Sequence, residues 1–125
     1  MIYVVKHILV VDDDVLLSAL IQRTLHDCNV MIAPDGQTAL ALATPGQPLD
    51  LLITDYLMPS MTGDELLARL RARRPNLKAL IITGHAETLA RELPDWWARE
   101  AHLAKPFTVD ALRGAVDRLV GPTEL

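Results

Sequence analysis

Three aspartates in this sequence stand directly after short runs of apolar residues. Asp12 and Asp13 follow residues 8–11, and Asp55 follows residues 51–54. If these carboxylates lie together, they repel one another and lose hydration, and a bound cation would relieve both effects. Because no histidine or cysteine accompanies them, the oxygen ligands indicate Mg²⁺, with Mn²⁺ as the alternative ion.

A lysine and a threonine extend this chemistry from metal binding to phosphoryl transfer. Lys105 and Thr83 follow two later apolar runs, and Gly84 comes directly after Thr83. Phosphoryl transfer needs positive charge around the equatorial oxygens, which a metal ion and Lys105 would supply, while Thr83 adds a hydrogen bond. Gly84 would leave room for the phosphoryl group and offer a backbone N–H. The nucleophile would be a carboxylate, and Asp55 is the best placed because it ends an interior strand.

Strand-like and helix-like segments alternate along the chain. Short β-branched or leucine-rich runs predict buried strands, and apolar residues at helical spacing predict helices between them. The predicted strands are residues 8–11, 30–33, 51–54, 77–83 and 101–104, and the predicted helices are 14–27, 37–43, 65–71, 86–99 and 109–120. Pro94 should break the fourth helix or restart it near Asp95, and Gly121 and Pro122 should end the fifth.

The alternation of five strands with five helices predicts a doubly wound parallel sheet with helices on both faces. In such sheets, ligands bind beyond the carboxyl ends of the strands. The candidate residues all stand at or just past such ends, so we expect Asp12, Asp13, Asp55, Thr83 and Lys105 to face one crevice.

The composition is that of one globular domain. The chain has 125 residues, of which 50% are hydrophobic, 4% aromatic and 22% charged, and its formal net charge is −4. This size favours a single domain, and the negative charge argues against direct binding of nucleic acid. No apolar run is long enough for a membrane span, and no basic start precedes a signal-peptide core, so we expect a soluble cytoplasmic protein. Cys28 is alone and cannot form an internal disulfide.

The motifs together resemble a known family. They are Val11-Asp12-Asp13, Asp55-Tyr56-Leu57-Met58-Pro59-Ser60-Met61-Thr62-Gly63, Thr83-Gly84 and Lys105-Pro106-Phe107. In this order and spacing they are similar to the signature of response-regulator receiver domains of the chemotaxis-regulator type, which act in two-component signalling. The resemblance covers essentially the whole chain and implies a flavodoxin-like (βα)5 fold with strand order 2-1-3-4-5. It implies one receiver domain over residues 1–125, with its core at about 7–120 and no output domain.

The resemblance implies a phosphoacceptor and a metal site. Asp55 would accept a phosphoryl group from a phosphohistidine on a sensor histidine kinase or a phosphotransfer protein. Asp12 and Asp13 would hold Mg²⁺, directly or through water, together with Asp55 and the backbone carbonyl of Leu57. The protein would then be a switch with slow autodephosphorylation and not an enzyme.

The resemblance also implies how the switch is read out. Thr83, Gly84 and Lys105 would bind the phosphoryl oxygens, and Pro106 would follow a cis peptide bond. Their rearrangement would alter the face built from the fourth helix, the fifth strand and the fifth helix. That face would bind an unidentified downstream protein or a second copy of the chain.

Three positions bear on this regulation. Family members usually carry Tyr or Phe three residues before the lysine, where the ring moves with the threonine, but here that position is His102. A neutral histidine could mimic a small aromatic ring, whereas a protonated one would resist burial. The sequence therefore leaves open whether a movement of Thr83 changes the output face. Leu57 and His85 would flank the route by which water reaches the phosphoryl group, so we predict that they tune the lifetime of the phosphate.

Three other interpretations remain. The chain is either a stand-alone regulator or a receiver excised from a larger protein such as a hybrid histidine kinase. A degenerate receiver would act only as an interaction module. A phosphatase of the haloacid dehalogenase type would also use Mg²⁺, a lysine and strand-end aspartates. Asp12 and Asp14 fit its D-x-D-x-T pattern, but Leu16 stands where the threonine should be.

Overall fold

The computed structural model describes residues 4–121, in which strands and helices alternate. The strands are β1 His7–Val11, β2 Asn29–Ala33, β3 Leu51–Asp55, β4 Lys78–Thr83 and β5 Ala101–Ala104. The helices are α1 Val15–Thr24, α2 Gly36–Leu42, α3 Gly63–Arg73, α4 Ala86–Glu92, α5 Pro94–Arg99 and α6 Val109–Val120. All strands pair in parallel in the order β2-β1-β3-β4-β5, which confirms the predicted fold class. Pro122, predicted to help end the last helix, lies outside the described residues.

The sheet is buried on both faces because its interior strands are apolar at successive positions. Alternate side chains enter two separate clusters: Leu9 and Val11 of β1 pack with α2 and α3, whereas Ile8 and Val10 pack with α1 and α6. All five residues of β3 are buried. Because helices cover both faces of the sheet, unbroken apolar runs, and not alternating ones, predict the strands correctly.

Side-chain caps fix where three of the helices begin. The carboxylate of Asp14 accepts from the N–H of Leu17 over 3.1 Å, that of Asp35 accepts from Thr38 over 2.7 Å, and the hydroxyl of Thr108 accepts from Ala111 over 3.0 Å. Each cap satisfies a backbone donor that the first helical turn leaves unpaired. The longest helix, α6, has 12 residues, and no helix among residues 4–121 has the length and apolar character needed to cross a membrane.

The predicted fourth helix is divided, as its proline indicates. α4 ends at Glu92 and α5 begins at Pro94. Proline lacks an N–H and fits the first position of a helix, so it interrupts one helix and starts the next. The described chain therefore has six helices instead of five, and the predicted fifth helix is α6. The predicted output face corresponds to α4, α5, β5 and α6.

Candidate functional site

Three carboxylates meet at one edge of the sheet, where β1 and β3 end. Asp12 follows β1 directly, Asp13 comes next, and Asp55 is the last residue of β3. The two strands are hydrogen-bonded neighbours with Val11 opposite Thr54, so their ends lie side by side. One oxygen from each carboxylate lies within 4.8 Å of the other two. Asp12 and Asp55 are only 2% and 8% exposed, whereas Asp13 is open to solvent.

Lys105 reaches the same cluster from the loop after β5. Its Nζ donates to Oδ2 of Asp12 and to Oδ2 of Asp55, each over 2.9 Å. Burial lowers the pKa of Lys105, but the hydrogen bonds to Asp12 and Asp55 outweigh that effect and hold the pKa above its usual value. The amine is therefore protonated at neutral pH and places a positive charge between two buried carboxylates.

The Asp12 carboxylate has a partner on each oxygen. Its Oδ1 accepts from the backbone N–H of Asp14 over 2.8 Å, and its Oδ2 accepts from Lys105. Burial still raises the pKa of Asp12, because these contacts do not fully replace the hydration that the carboxylate has lost. The cluster thus holds more negative charge than its own hydrogen bonds and single ammonium group compensate.

The donor set fits a hard divalent cation. Oδ1 of Asp55 is buried and has no hydrogen-bond partner among the described residues, and a polar atom buried in this way is unfavourable unless something binds it. Three carboxylates stand against one ammonium group, so a dication would neutralise the excess. Oxygen ligands on a partly exposed rim suit Mg²⁺, which binds few protein groups and keeps several waters.

Thr83 and Gly84 lie beside the carboxylates, at the end of β4. Oγ1 of the fully buried Thr83 accepts from the N–H of His85 over 2.9 Å, and the Thr83 carbonyl accepts from the N–H of Lys105 over 2.8 Å. These residues line a cavity of about 320 Å³. A Cβ at Gly84 would meet nothing within 4 Å, so the space beside this backbone is open to a ligand.

The loop between β3 and α3 is fastened close to Asp55. The N–H of Gly63 donates to the carbonyl of Tyr56 over 2.7 Å, and a Cβ at Gly63 would lie 2.5 Å from the carbonyl oxygen of Asp55. Between these points Leu57 is 50% exposed. Leu57 and His85 line the same cavity of about 130 Å³, so the two predicted lifetime-tuning residues are neighbours.

The structure does not bring His102 to the carboxylates. It lies on the exposed side of β5, where its ring stacks on Trp97 with centroids 3.7 Å apart and an interplanar angle of 15°. Its Nδ1 is 3.1 Å from the carbonyl oxygen of Glu100. The neighbouring Lys105–Pro106 peptide bond is cis. His102 therefore connects the edge strand β5 to α5. The stacking and the Nδ1 contact explain how β5 accommodates an imidazole ring at this position.

Two residues without a predicted role at this site also adjoin it. Thr54 is fully buried, and its hydroxyl donates to the backbone carbonyl of Asp55 over 2.8 Å. Trp96 in α5 contacts the ring of Tyr56 with centroids 5.5 Å apart. A signal exists for Thr54, because it is the one hydroxyl in the apolar run that leads to Asp55. No local pattern indicates the contact between Tyr56 and Trp96.

Comparison with known proteins agrees with this geometry. A family model described as the response regulator receiver domain matches residues 8–117. The chain is 33% identical over 117 residues to the chemotaxis protein CheY of Pseudomonas aeruginosa, which covers 90% of this chain and 94% of that protein. It is 32% identical over 116 residues to the sensor histidine kinase TmoS of Ectopseudomonas mendocina, which covers 90% of this chain but only 12% of that protein.

A solved structure extends the likeness to three dimensions. The response regulator TrrA of Thermotoga maritima, in complex with Mg²⁺ and BeF, matches with a TM-score of 0.77 and 30% identity over 91% of this chain and 98% of that one. The matching family model runs from β1 to α6 and includes every residue of the carboxylate and lysine cluster. This chain therefore belongs to the response regulator receiver family of two-component signalling.

Proposed function

We propose that the protein is a phosphorylation switch that accepts a phosphoryl group on Asp55 from a phosphohistidine donor in a Mg²⁺-dependent reaction. The observation that carries this proposal is the position of the Lys105 amine, 2.9 Å from both Asp12 and Asp55. Such an arrangement holds positive charge beside a nucleophilic carboxylate, which is what phosphoryl transfer requires. The donor would be a sensor histidine kinase or a phosphotransfer protein.

The proposed reaction is a displacement at phosphorus. A lone pair on a carboxylate oxygen of Asp55 forms the new P–O bond while the P–N bond to the donor histidine breaks. The bonding pair remains on the imidazole nitrogen, which takes a proton from solvent, and the product is an acyl phosphate on Asp55. Lys105 would stabilise the charge on the phosphoryl oxygens, and the Thr83 hydroxyl would donate to one of them.

Mg²⁺ would be held by Asp12, Asp13, Asp55 and the backbone carbonyl of Leu57, with Mn²⁺ as a substitute. When bound, the ion supplies the positive charge that one ammonium group cannot provide alone. Gly84 would leave room for the phosphoryl group, since nothing lies within 4 Å of the position where its Cβ would be.

Incubation with acetyl phosphate and MgCl₂ tests the proposal. Intact mass should rise by one phosphoryl group, and removal of Mg²⁺ with EDTA should prevent the gain because the carboxylates then repel the incoming phosphate. A receiver of established activity in a parallel reaction serves as the positive control. If that control is labelled and this protein is not, the degenerate-receiver interpretation replaces the proposal.

The phosphorylated sample also tests the output. We propose that phosphate on Asp55 alters the face formed by α4, α5, β5 and α6, through Thr83 and β5, so that it binds a downstream protein or a second copy. Sedimentation with and without beryllofluoride should then show a change in association of the protein itself or with a candidate partner. If the association state and the partner affinity are both unchanged, the protein is an interaction module whose binding does not depend on phosphorylation.

We infer that the protein does not turn over external phosphate esters. The phosphatase alternative uses Asp14 as a site residue, but here Asp14 caps α1 by accepting from the N–H of Leu17. The carboxylate that completes the cluster is Asp13. Hydrolysis of p-nitrophenyl phosphate with many turnovers per protein would contradict this inference.

Leu57 and His85 are expected to set how long the phosphate survives. Both line a cavity that Tyr56, the residue after the phosphoacceptor, also lines, so a smaller or more polar side chain should admit water to the acyl phosphate. We expect Leu57→Asn to shorten the phosphate half-life several-fold, and His85→Ala to change it as well. The measurement is decay of the phosphorylated mass after removal of acetyl phosphate.

Leu42→Asn is the matched control for Leu57→Asn. Leu42 is also an exposed leucine, but it is the last residue of α2, and it does not line the cavity. The phosphate on the Leu42→Asn variant should have the same half-life as the phosphate on the wild type. Equal half-lives for the wild type and the Leu57 and His85 variants would reject a role for these positions.

A further inference from the structure

Thr54 combines complete burial with a polar side chain directly before the phosphoacceptor. Its neighbours in β3 on the N-terminal side, Leu51, Leu52 and Ile53, are all apolar and fully buried. The Thr54 hydroxyl donates to the backbone carbonyl of Asp55 over 2.8 Å. Burying a hydroxyl in such a strand destabilises the fold unless the hydroxyl is hydrogen-bonded. The bond that compensates for its burial is made to the residue that carries the chemistry.

The carbonyl that Thr54 binds lies where the strand ladder stops. Asp55 is the last residue of β3 paired with β4, opposite Ile82. The start of α3 approaches the same carbonyl so closely that a Cβ at Gly63 would lie 2.5 Å from it. The Thr54 hydroxyl therefore binds this carbonyl at the point where the backbone leaves β3 and enters the loop.

Thr54 also contacts the loop further on. Its Oγ1 is 3.8 Å from Sδ of Met58, which is buried in the cluster formed with α2 and α3. The loop has a second attachment, from the N–H of Gly63 to the carbonyl of Tyr56. Leu57, whose carbonyl is a proposed metal ligand, lies between Tyr56 and Met58. The residues on both sides of Leu57 are therefore held by contacts.

We propose that Thr54 is a positioning residue, whose hydroxyl holds the Asp55 backbone and the following loop in the orientation that Mg²⁺ binding and phosphoryl transfer need. This inference rests on the proposed function. Thr54 does not touch the reacting atoms; it acts through the Asp55 carbonyl. Outer contacts of this kind typically change metal affinity by about 10–100-fold when they are removed.

Substitutions that separate shape from hydroxyl test the proposal. Thr54→Val keeps the shape and lacks the hydroxyl, whereas Thr54→Ser keeps the hydroxyl and lacks the methyl group. We expect Thr54→Val to weaken the Mg²⁺ Kd, measured by calorimetry with MgCl₂ alone, about tenfold. Its phosphorylation by acetyl phosphate should slow to a similar extent. Thr54→Ser should restore both quantities to within about threefold of the wild type.

A second pair keeps the test usable if Thr54→Val does not fold. Thr54→Ala and Thr54→Ser differ only in the hydroxyl, so the same loss of Mg²⁺ affinity should distinguish them. Ile81→Val, which removes one methylene from the adjoining strand β4, is the control for general loosening of the core. It should lower thermal stability while leaving the Mg²⁺ Kd unchanged.

Different results would overturn the role of Thr54 and the proposed function. A wild-type Kd and phosphorylation rate in Thr54→Val, or equal losses in Thr54→Ser and Thr54→Ala, would overturn the positioning role while the switch itself stands. A wild-type protein that neither binds Mg²⁺ nor accepts phosphate would overturn the proposed function, and the role of Thr54 with it.

Discussion

Asp55→Asn is expected to take up no phosphoryl group from acetyl phosphate in the presence of Mg²⁺. The amide has nearly the shape of the carboxylate but is not a nucleophile at neutral pH, so the acyl phosphate cannot form. It also removes one of the three carboxylates that lie within 4.8 Å of one another, which should weaken Mg²⁺ binding. The measurement is intact mass after incubation, with circular dichroism to establish that the variant is folded.

Asp50→Asn provides the matched control, because it makes the same chemical change just before β3, whereas Asp55 ends that strand. Asp50 is exposed, and its Oδ2 accepts from the N–H of His7 over 2.8 Å, a bond that an asparagine oxygen can also accept. It should therefore be phosphorylated like the wild type. Full labelling of the Asp55→Asn protein would assign the phosphoryl group to a different residue and refute the proposed phosphoacceptor.

Gly63→Ala should cause the second large effect, a loss of about 2 kcal/mol in the free energy of unfolding. The new Cβ would lie 2.5 Å from the carbonyl oxygen of Asp55 and 3.1 Å from Cα of Tyr56. These are backbone atoms of a buried strand and its loop, which cannot move aside as a flexible side chain would. α3 must then shift away from the end of β3, and the melting temperature should fall by roughly 5–10 °C.

Gly46→Ala is the comparison for that substitution. A Cβ at Gly46 would meet nothing within 4 Å, and the residue lies in the loop between α2 and β3. Its free energy of unfolding in urea should stay within about 0.5 kcal/mol of the wild type. If the Gly63 and Gly46 variants unfold at the same urea concentration, the close approach of α3 to Asp55 does not constrain the fold as described.

The fold could be predicted from the sequence because the signal for each element is local. Runs such as residues 51–54 are apolar throughout, as a strand covered on both faces requires, and Pro94 indicates where one helix ends and another begins. The bounds differ by one to a few residues. α1, for example, ends at Thr24 and not near Asp27, because the last turns of a helix depend on tertiary contacts that the sequence pattern does not reveal.

The meeting of the site residues could also be predicted, since parallel strands place their carboxyl ends at one edge. The detailed contacts could not. Lys105 and Asp12 are 93 positions apart in the chain, and nothing local indicates that one amine contacts two carboxylates. The bond from His85 N–H to the Thr83 hydroxyl depends on a side-chain rotamer. The stacking of His102 on Trp97 depends on how α5 packs against β5.

The contact between Tyr56 and Trp96 provides the protein with a spectroscopic probe of its own. Tyrosine emission overlaps tryptophan absorption, so at a centroid separation of 5.5 Å light absorbed by Tyr56 passes to Trp96 by resonance energy transfer. Tyr56 is the residue after Asp55, so a rearrangement of this loop alters the emission. Trp97 of α5, stacked on His102 of β5, is a second emitter where these two elements meet. Fluorescence of the unlabelled wild-type chain can therefore follow events at both places in real time.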